Sequence, residues 1–292
     1  MREKTADRLV PILLILGALL MAADVVWAFT VAPLVKGAQL AEPVVIAGTV
    51  VSNKLLLTQK IFYLHVPVAI VSFAAMALAA FHAVRFLMTK NSACDTRSHV
   101  AMQVSLAFIV ATMISGDVWT RFDWGVWWTW EPRLTTYFIL MLLAIGYFVL
   151  RNSFDDPERR ARFASVFCII AFIDAPISFM ITRLVPSSVH PVVFRTDSGL
   201  PPEMLIPFLL GLAGALLFAF ALYRYALRVY MQAERVEALK ERLEQLDTRK
   251  GRKAADEALE RLQRCGQQLA GGADVLTAQG TDESASDSNE TV

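Results

Sequence analysis

Charge is scarce in this sequence. Only 19% of its 292 residues are Asp, Glu, Lys or Arg, while 55% are hydrophobic and the mean hydropathy is +0.47. The formal net charge is +1, so the chain carries none of the basic field that draws a protein to nucleic acid. Cysteine is scarce too. Cys94, Cys168 and Cys265 lie far apart and form no C-x-x-C pair, which leaves thiol exchange and covalent cofactor attachment without support. There is no Walker A sequence, no dinucleotide-type glycine pattern and no internal repeat; the chain encodes no energy source of its own.

What it has is apolar length. Runs near residues 9–33, 59–86, 100–118, 134–150, 161–184 and 204–230 are each long enough to span a hydrocarbon core, which takes about 20 residues for roughly 30 Å. The expected fold is an all-α integral membrane protein, a six-transmembrane-helix bundle. The first run is too long for a signal-peptide core and no A-x-A pattern follows it, so it is kept as a span. Arg2, Lys4, Arg8, Arg85, Lys90, Arg97, Arg151, Arg159, Arg160 and Arg162 fall on one side. Lys36, Lys54, Lys60, Arg121, Arg133, Arg183 and Arg195 fall on the other, over longer loops. The positive-inside rule then places both termini in the cytoplasm.

Three segments follow from composition. Residues 1–230 form the six-span membrane domain. Residues 231–265, with Val236, Leu239, Leu243 and Leu246 at heptad-like spacing between charges, read as a cytoplasmic helix, either solvated or paired in a short coiled coil. Residues 266–292 are acidic and serine-rich, and are expected to be a disordered tail.

Five of the six tryptophans fall within twelve residues: Trp119, Trp124, Trp127, Trp128 and Trp130. An interfacial aromatic belt would spread tryptophan over several helix ends, and the other outer ends supply only Trp27 and Tyr63. A platform for a flat apolar ligand fits the concentration better. The charge argument places this loop outside, between the third and fourth spans.

Histidines bracket it. His65 and His82 share the second span and stand about 25 Å apart at 1.5 Å per residue, so they cannot hold one ligand between them. His65 belongs to the outer end and His82 to the inner end, where it reads as a packing residue. His99 is placed in a cytoplasmic loop and His190 in the third outer loop. Two imidazoles approaching from opposite sides are a common way to hold haem iron six-coordinate, and an outer histidine is otherwise an interface or packing residue. A porphyrin is flat and apolar, and its propionates call for guanidinium partners; Arg121 and Arg133 bracket the tryptophans, and Arg183 and Arg195 bracket His190. Asp24 and Asp174 interrupt apolar runs, either as a polar cavity wall or as helix-pairing groups. Pro67 and Pro176 are expected to kink their helices.

The stretch Trp124-Gly125-Val126-Trp127-Trp128-Thr129-Trp130-Glu131 resembles the W-G-x-x-W-x-W-D signature of the tryptophan-rich (WWD) haem-handling family of cytochrome c biogenesis. Ser115-Gly116-Asp117-Val118-Trp119 before it and Pro132-Arg133-Leu134-Thr135 after it are similar to the family's flanks. Tyr63-Leu64-His65-Val66-Pro67 resembles its H-V-P, and Asp174-Ala175-Pro176-Ile177 followed by His190-Pro191 resembles the approach to its second ligand histidine. Six spans and this length are most similar to the haem exporter protein C branch, over roughly residues 9–230. Glu131 stands where the family usually has Asp, and Thr182–Val189 lacks the W-W often found before the second histidine.

The resemblance implies a haem-presenting platform rather than a conventional enzyme. Haem b would be cargo, with His65 and His190 as axial ligands. Trp119, Trp124, Gly125, Trp127, Trp128, Trp130, Glu131 and Arg133 would lie against the macrocycle. It also implies the bacterial inner membrane, a site on the periplasmic side, a periplasmic haem chaperone (protein E of the same system) as acceptor, and ATPase and permease subunits A and B as partners. The same-family alternative is a System II-like synthase subunit acting directly on apocytochrome. A small-molecule transporter is the alternative from another class, but the paired broken spans such proteins show are absent.

Overall fold

A computed structural model of the chain describes residues 2–32, 44–46, 49–51, 54–185 and 202–283. In chain order these are α1 (Arg2–Thr30), β1 (Val44–Ile46), β2 (Thr49–Val51), α2 (Lys54–Thr89), α3 (Ser92–Asp123), α4 (Pro132–Asn152), α5 (Pro157–Leu184) and α6 (Pro202–Glu283). Each helix contains a stretch long and apolar enough to cross a membrane: Leu9–Thr30, Gln59–Thr89, Ser92–Asp123, Pro132–Asn152, Pro157–Leu184 and a part of Glu203–Arg264. The protein is an all-α six-span membrane protein, as its composition predicts. Among the described residues the addition is a two-stranded antiparallel ladder of Val, Ile and Thr pairing Val44 with Val51 and Ile46 with Thr49, residues whose branched side chains suit extended backbone.

Apolar runs mark the hydrocarbon, and the helices outrun them where polar residues can cap. Asn91 caps α3, its side chain accepting from the Ala93 N–H at 3.0 Å, so the helix starts eight residues before the apolar run. His99, expected in a cytoplasmic loop, therefore lies on α3 and is buried. Its ring packs on Tyr147, Phe148 and Tyr230. Asp156 caps α5 by accepting from the Arg159 N–H at 2.8 Å, with Pro157 in the first helical position, where a missing N–H costs nothing.

The chain divides into two compact units, Met1–Tyr230 and Met231–Val292. In the second unit α6 stays helical to Glu283, so residues 266–283, expected to be disordered, are helix; no proline interrupts them, although Gly266, Gly271, Gly272 and Gly280 are weak helix formers. Residues 284–292 lie outside the described residues.

In the first unit α2 and α3 form the central antiparallel pair, with α4 and α5 against them. The core is lined by small residues: Ala79, Ala80 and Ala83 of α2, Ala101 of α3, Ala144 of α4, and Ala164 and Ala175 of α5. Met76, Met102, Ile109 and Leu140 fill the gaps. Small residues let helix backbones approach where lipid offers no hydrophobic drive for association. Hydroxyls tie the same helices: Ser72 to Tyr137 at 2.7 Å, Ser105 to the Ser72 carbonyl at 2.9 Å, Ser98 to the Ala79 carbonyl at 2.8 Å. α1 meets α6 along glycines. A Cβ on Gly17 would lie 2.7 Å from the Phe218 backbone nitrogen, and one on Gly214 2.9 Å from that of Met21. Gly211 faces the carboxylate of Asp24, which is buried with Oδ1 unpartnered. Lys60, also buried, donates to the Ala32 carbonyl just past the end of α1.

Candidate functional site

One end of the bundle gathers the start of α2, the end of α3, the start of α4 and the end of α5. His65 sits two turns into the apolar part of α2, half-buried, with Nδ1 2.9 Å from Ser115 Oγ on α3. The Ser115 hydroxyl has one proton, and two carbonyls of its own helix lie within reach of it, Ala111 at 2.9 Å and Thr112 at 3.1 Å. With that proton spent on the helix, the hydroxyl's lone pair accepts from His65 Nδ1–H, and the Nε2 lone pair is left for a ligand. Gly116 makes the approach possible: a Cβ there would come within 3.1 Å of His65 Cε1.

One turn beyond Ser115, Trp119 stands in the last turns of α3. Trp124 follows the helix end, and Gly125 turns the chain with φ +76°, a left-handed position that suits glycine. Buried Thr120 holds the loop back, its hydroxyl 2.9 Å from the carbonyls of both Asp117 and Trp127. Arg121 donates to the Gly125 carbonyl and lies over the Trp127 ring, 5.8 Å from its centroid.

The five indoles do not form one plane. Trp119 and Trp124 meet edge to face at 75°, and Trp128 and Trp130 at 85°, with Trp128 also edge-on to Phe138 of α4. Two rings remain open: Trp127 is 61% and Trp130 74% exposed. The cluster is a pair of braced aromatic corners presenting Trp127 and Trp130 outward.

Glu131 closes the loop. Its Oε2 accepts from the backbone N–H groups of Arg133 at 2.9 Å and Leu134 at 3.2 Å, so it caps α4 with Pro132 in the first helical position. This buried carboxylate holds the helix start and thereby aims Arg133. The Arg133 guanidinium interacts electrostatically with His65, Glu131 and Arg183 and donates to the Phe179 carbonyl of α5 at 3.4 Å. Arg183 lies over the Phe179 ring, 5.4 Å from its centroid. Two guanidiniums thus converge on Phe179, and that of Arg133 also acts on the histidine.

His65, Trp119, Trp124, Gly125, Trp127, Trp128, Trp130, Glu131 and Arg133 all lie at this end. His190 and Arg195 fall outside the described residues. Asp174, on α5, is half-buried with Oδ2 unpartnered, and His82 is buried near the far end of α2. Sequence reasoning passed over the parts played by Ser115, Thr120 and Phe179. Ser115 and Thr120 flank tryptophans in the sequence, but what they bond, His65 on another helix and the Trp127 carbonyl of the following loop, is visible only in the folded chain.

The fold and this site define a multi-pass helical membrane protein that holds a histidine of one span against a tryptophan-rich connection between two others. The family model described as Heme exporter protein C matches residues 2–242, and the chain belongs to that family. It is 32% identical over 167 residues to Heme exporter protein C of Bradyrhizobium diazoefficiens, covering 55% of this chain and 62% of that protein. It is 29% identical over 163 residues to that of Escherichia coli K12, covering 55% and 65%. It is also 28% identical over 169 residues to a putative cytochrome c biosynthesis ccmC-like mitochondrial protein of Arabidopsis thaliana, covering 56% and 62%. The aligned stretch spans less than two thirds of each of these relatives.

Proposed function

We propose that the protein holds haem as cargo at the tryptophan-bearing end of the bundle and presents it for cytochrome c maturation. The observation that carries this reading is the His65–Ser115 contact. A ligating histidine characteristically donates its second ring N–H to a fixed acceptor, which sets the tautomer and the ring orientation, and Ser115 occupies that place. His190 supplies the second imidazole from the opposite face of the iron. The exposed rings of Trp127 and Trp130 lie against the macrocycle and exclude water from it. Arg133 and Arg183 face the propionates, whose planar carboxylates accept two parallel hydrogen bonds from a guanidinium.

The names of the relatives support the same reading, since they describe haem export and cytochrome c biosynthesis. The more basic end of the bundle, with Arg85, Arg97, Arg151 and Arg160, is then cytoplasmic, and the haem faces the periplasm of a bacterial inner membrane. The acceptor is the periplasmic haem chaperone, protein E, whose own ligand displaces one imidazole. The ABC-type A and B subunits act beside it.

The test is the absorption spectrum of the purified protein, wild type beside His65→Ala and His190→Ala. A low-spin, six-coordinate haem spectrum in the wild type that each substitution removes is the expected result. Purification without haem, together with undiminished cytochrome c assembly in both variants, overturns the proposal.

A further inference from the structure

Beyond Tyr230, α6 carries a seam that nothing in its own unit covers. Val236, Leu239, Leu243 and Leu246 are all exposed, and their alternating spacing of three and four places them on one narrow stripe of the helix, the a and d positions of a heptad. Along one edge of that stripe run Arg235, Arg242 and Arg249, spaced by seven and all exposed. Residues three and four away along a helix are the ones a side chain can reach. For these three arginines those residues are Met231, Gln232, Ala238, Leu239, Gln245, Leu246, Arg252 and Lys253, with no carboxylate among them. The acidic residues lie elsewhere. Glu237 pairs with Lys240 at 3.2 Å, Glu234, Glu241 and Glu244 occupy the helix back, and Asp247 lies with Lys240 along the other edge of the stripe.

We propose that this seam docks a partner helix that carries leucine-like residues facing it and carboxylates along the edge opposite Arg235, Arg242 and Arg249. Charges beside an apolar seam set partner choice and orientation, and a row of arginines without intrahelical acids calls for an acidic row on the partner.

A second copy of this chain fits less well. Antiparallel pairing sets arginine row against arginine row, and parallel pairing sets Arg235 against the partner's Lys240 and Arg242 against its Asp247, so one repulsion cancels one attraction and Arg249 faces no acid. An anionic membrane surface fits poorly too. The stripe is two residues wide, residues 231–249 hold four basic and five acidic side chains, and no aromatic residue follows Tyr230. Helices that lie on membranes have a broad apolar face with aromatics and a basic polar face.

The experiment uses the full chain in phosphatidylcholine nanodiscs and two designed helical peptides with the same valine and leucine seam. One is flanked by glutamate, the other by lysine, and binding is read by fluorescence anisotropy. The glutamate peptide is expected to bind at least about tenfold tighter, since each flanking pair contributes a few tenths of a kcal/mol in either sense. The triple variant R235E/R242E/R249E is expected to invert the preference, and L239S/L243S to abolish binding of both peptides; an unchanged helix content shows that these variants fold. Equal affinity for the two peptides, or binding of neither, overturns the proposal. So does self-association that L239S/L243S abolishes, which assigns the seam to a second copy. Loss of glutamate-peptide binding in phosphatidylglycerol-containing nanodiscs overturns it as well, because the membrane surface then covers the seam.

Discussion

Arg151 at the end of α4 grips Asp95 in the first turn of α3 through two hydrogen bonds, Nη1 to Oδ1 at 2.8 Å and Nη2 to Oδ2 at 2.6 Å. The side chains are 6% and 14% exposed, so this is a buried bidentate pair at the end of the bundle away from the tryptophans. Removing one partner strands a charge, which typically costs about 3–5 kcal/mol, whereas removing both is far milder. Arg151→Met and Asp95→Leu are each expected to lower the thermal unfolding midpoint markedly, and the double variant to recover much of the loss. Additive losses would show that the two residues do not act as a pair.

Ser115 orients His65, so its effect should appear in haem affinity and not in whether the chain folds. Ser115→Ala is expected to weaken haem binding about 10- to 100-fold, the usual consequence of losing a group that positions a metal ligand, and Ser115→Thr to keep most of it. Haem titration of the apoprotein, followed by absorbance, checks both. Unchanged affinity in Ser115→Ala would remove the orienting role.

Glu131 is a cap before it is anything else. Glu131→Ala is expected to cost about 1 kcal/mol, the typical loss for a helix N-cap, and to loosen Arg133 with it. Glu131→Asp restores the residue usual in the family and a preferred cap type, so it is expected to unfold within a degree or two of wild type. Thermal unfolding followed by tryptophan emission reads stability and the loop together. Equal losses in the two variants would contradict the capping role.

The meeting of Gly211 with Asp24 predicts a coupled pair. A Cβ at position 211 would run into the Asp24 carboxylate and lie 3.0 Å from the Tyr63 carbonyl oxygen, so Gly211→Ala is expected to destabilise by about 1–3 kcal/mol through overpacking. Adding Asp24→Ala opens the space, and the double variant should lose less than the two single losses combined. Strict additivity in a thermal-unfolding cycle would place the strain elsewhere.

Much of this protein was legible in its sequence because the bilayer imposes a length. Six apolar runs mapped onto six spanning helices, and the break in composition at Tyr230 coincided with the boundary between the two units. Helix starts were less legible. Asn91 and Asp156 extend α3 and α5 into polar sequence through side-chain caps that leave no trace in hydropathy, which is why His99 was assigned to a loop and found on a buried helix face.

The site shows the same division. Residue identity and a 1.5 Å rise are local facts, enough to put five tryptophans around one connection and His65 near the outer end of the second span. What those residues do to one another depends on the packed helices. His65 meets Ser115 fifty positions away, the tryptophans brace edge to face and leave two rings open, and Arg133 and Arg183 converge on Phe179. The histidine contact and the meeting of the two arginines depend on which faces of α2, α3, α4 and α5 are in contact, and that is set by how small residues let the helices pack, not by any pattern along a single span.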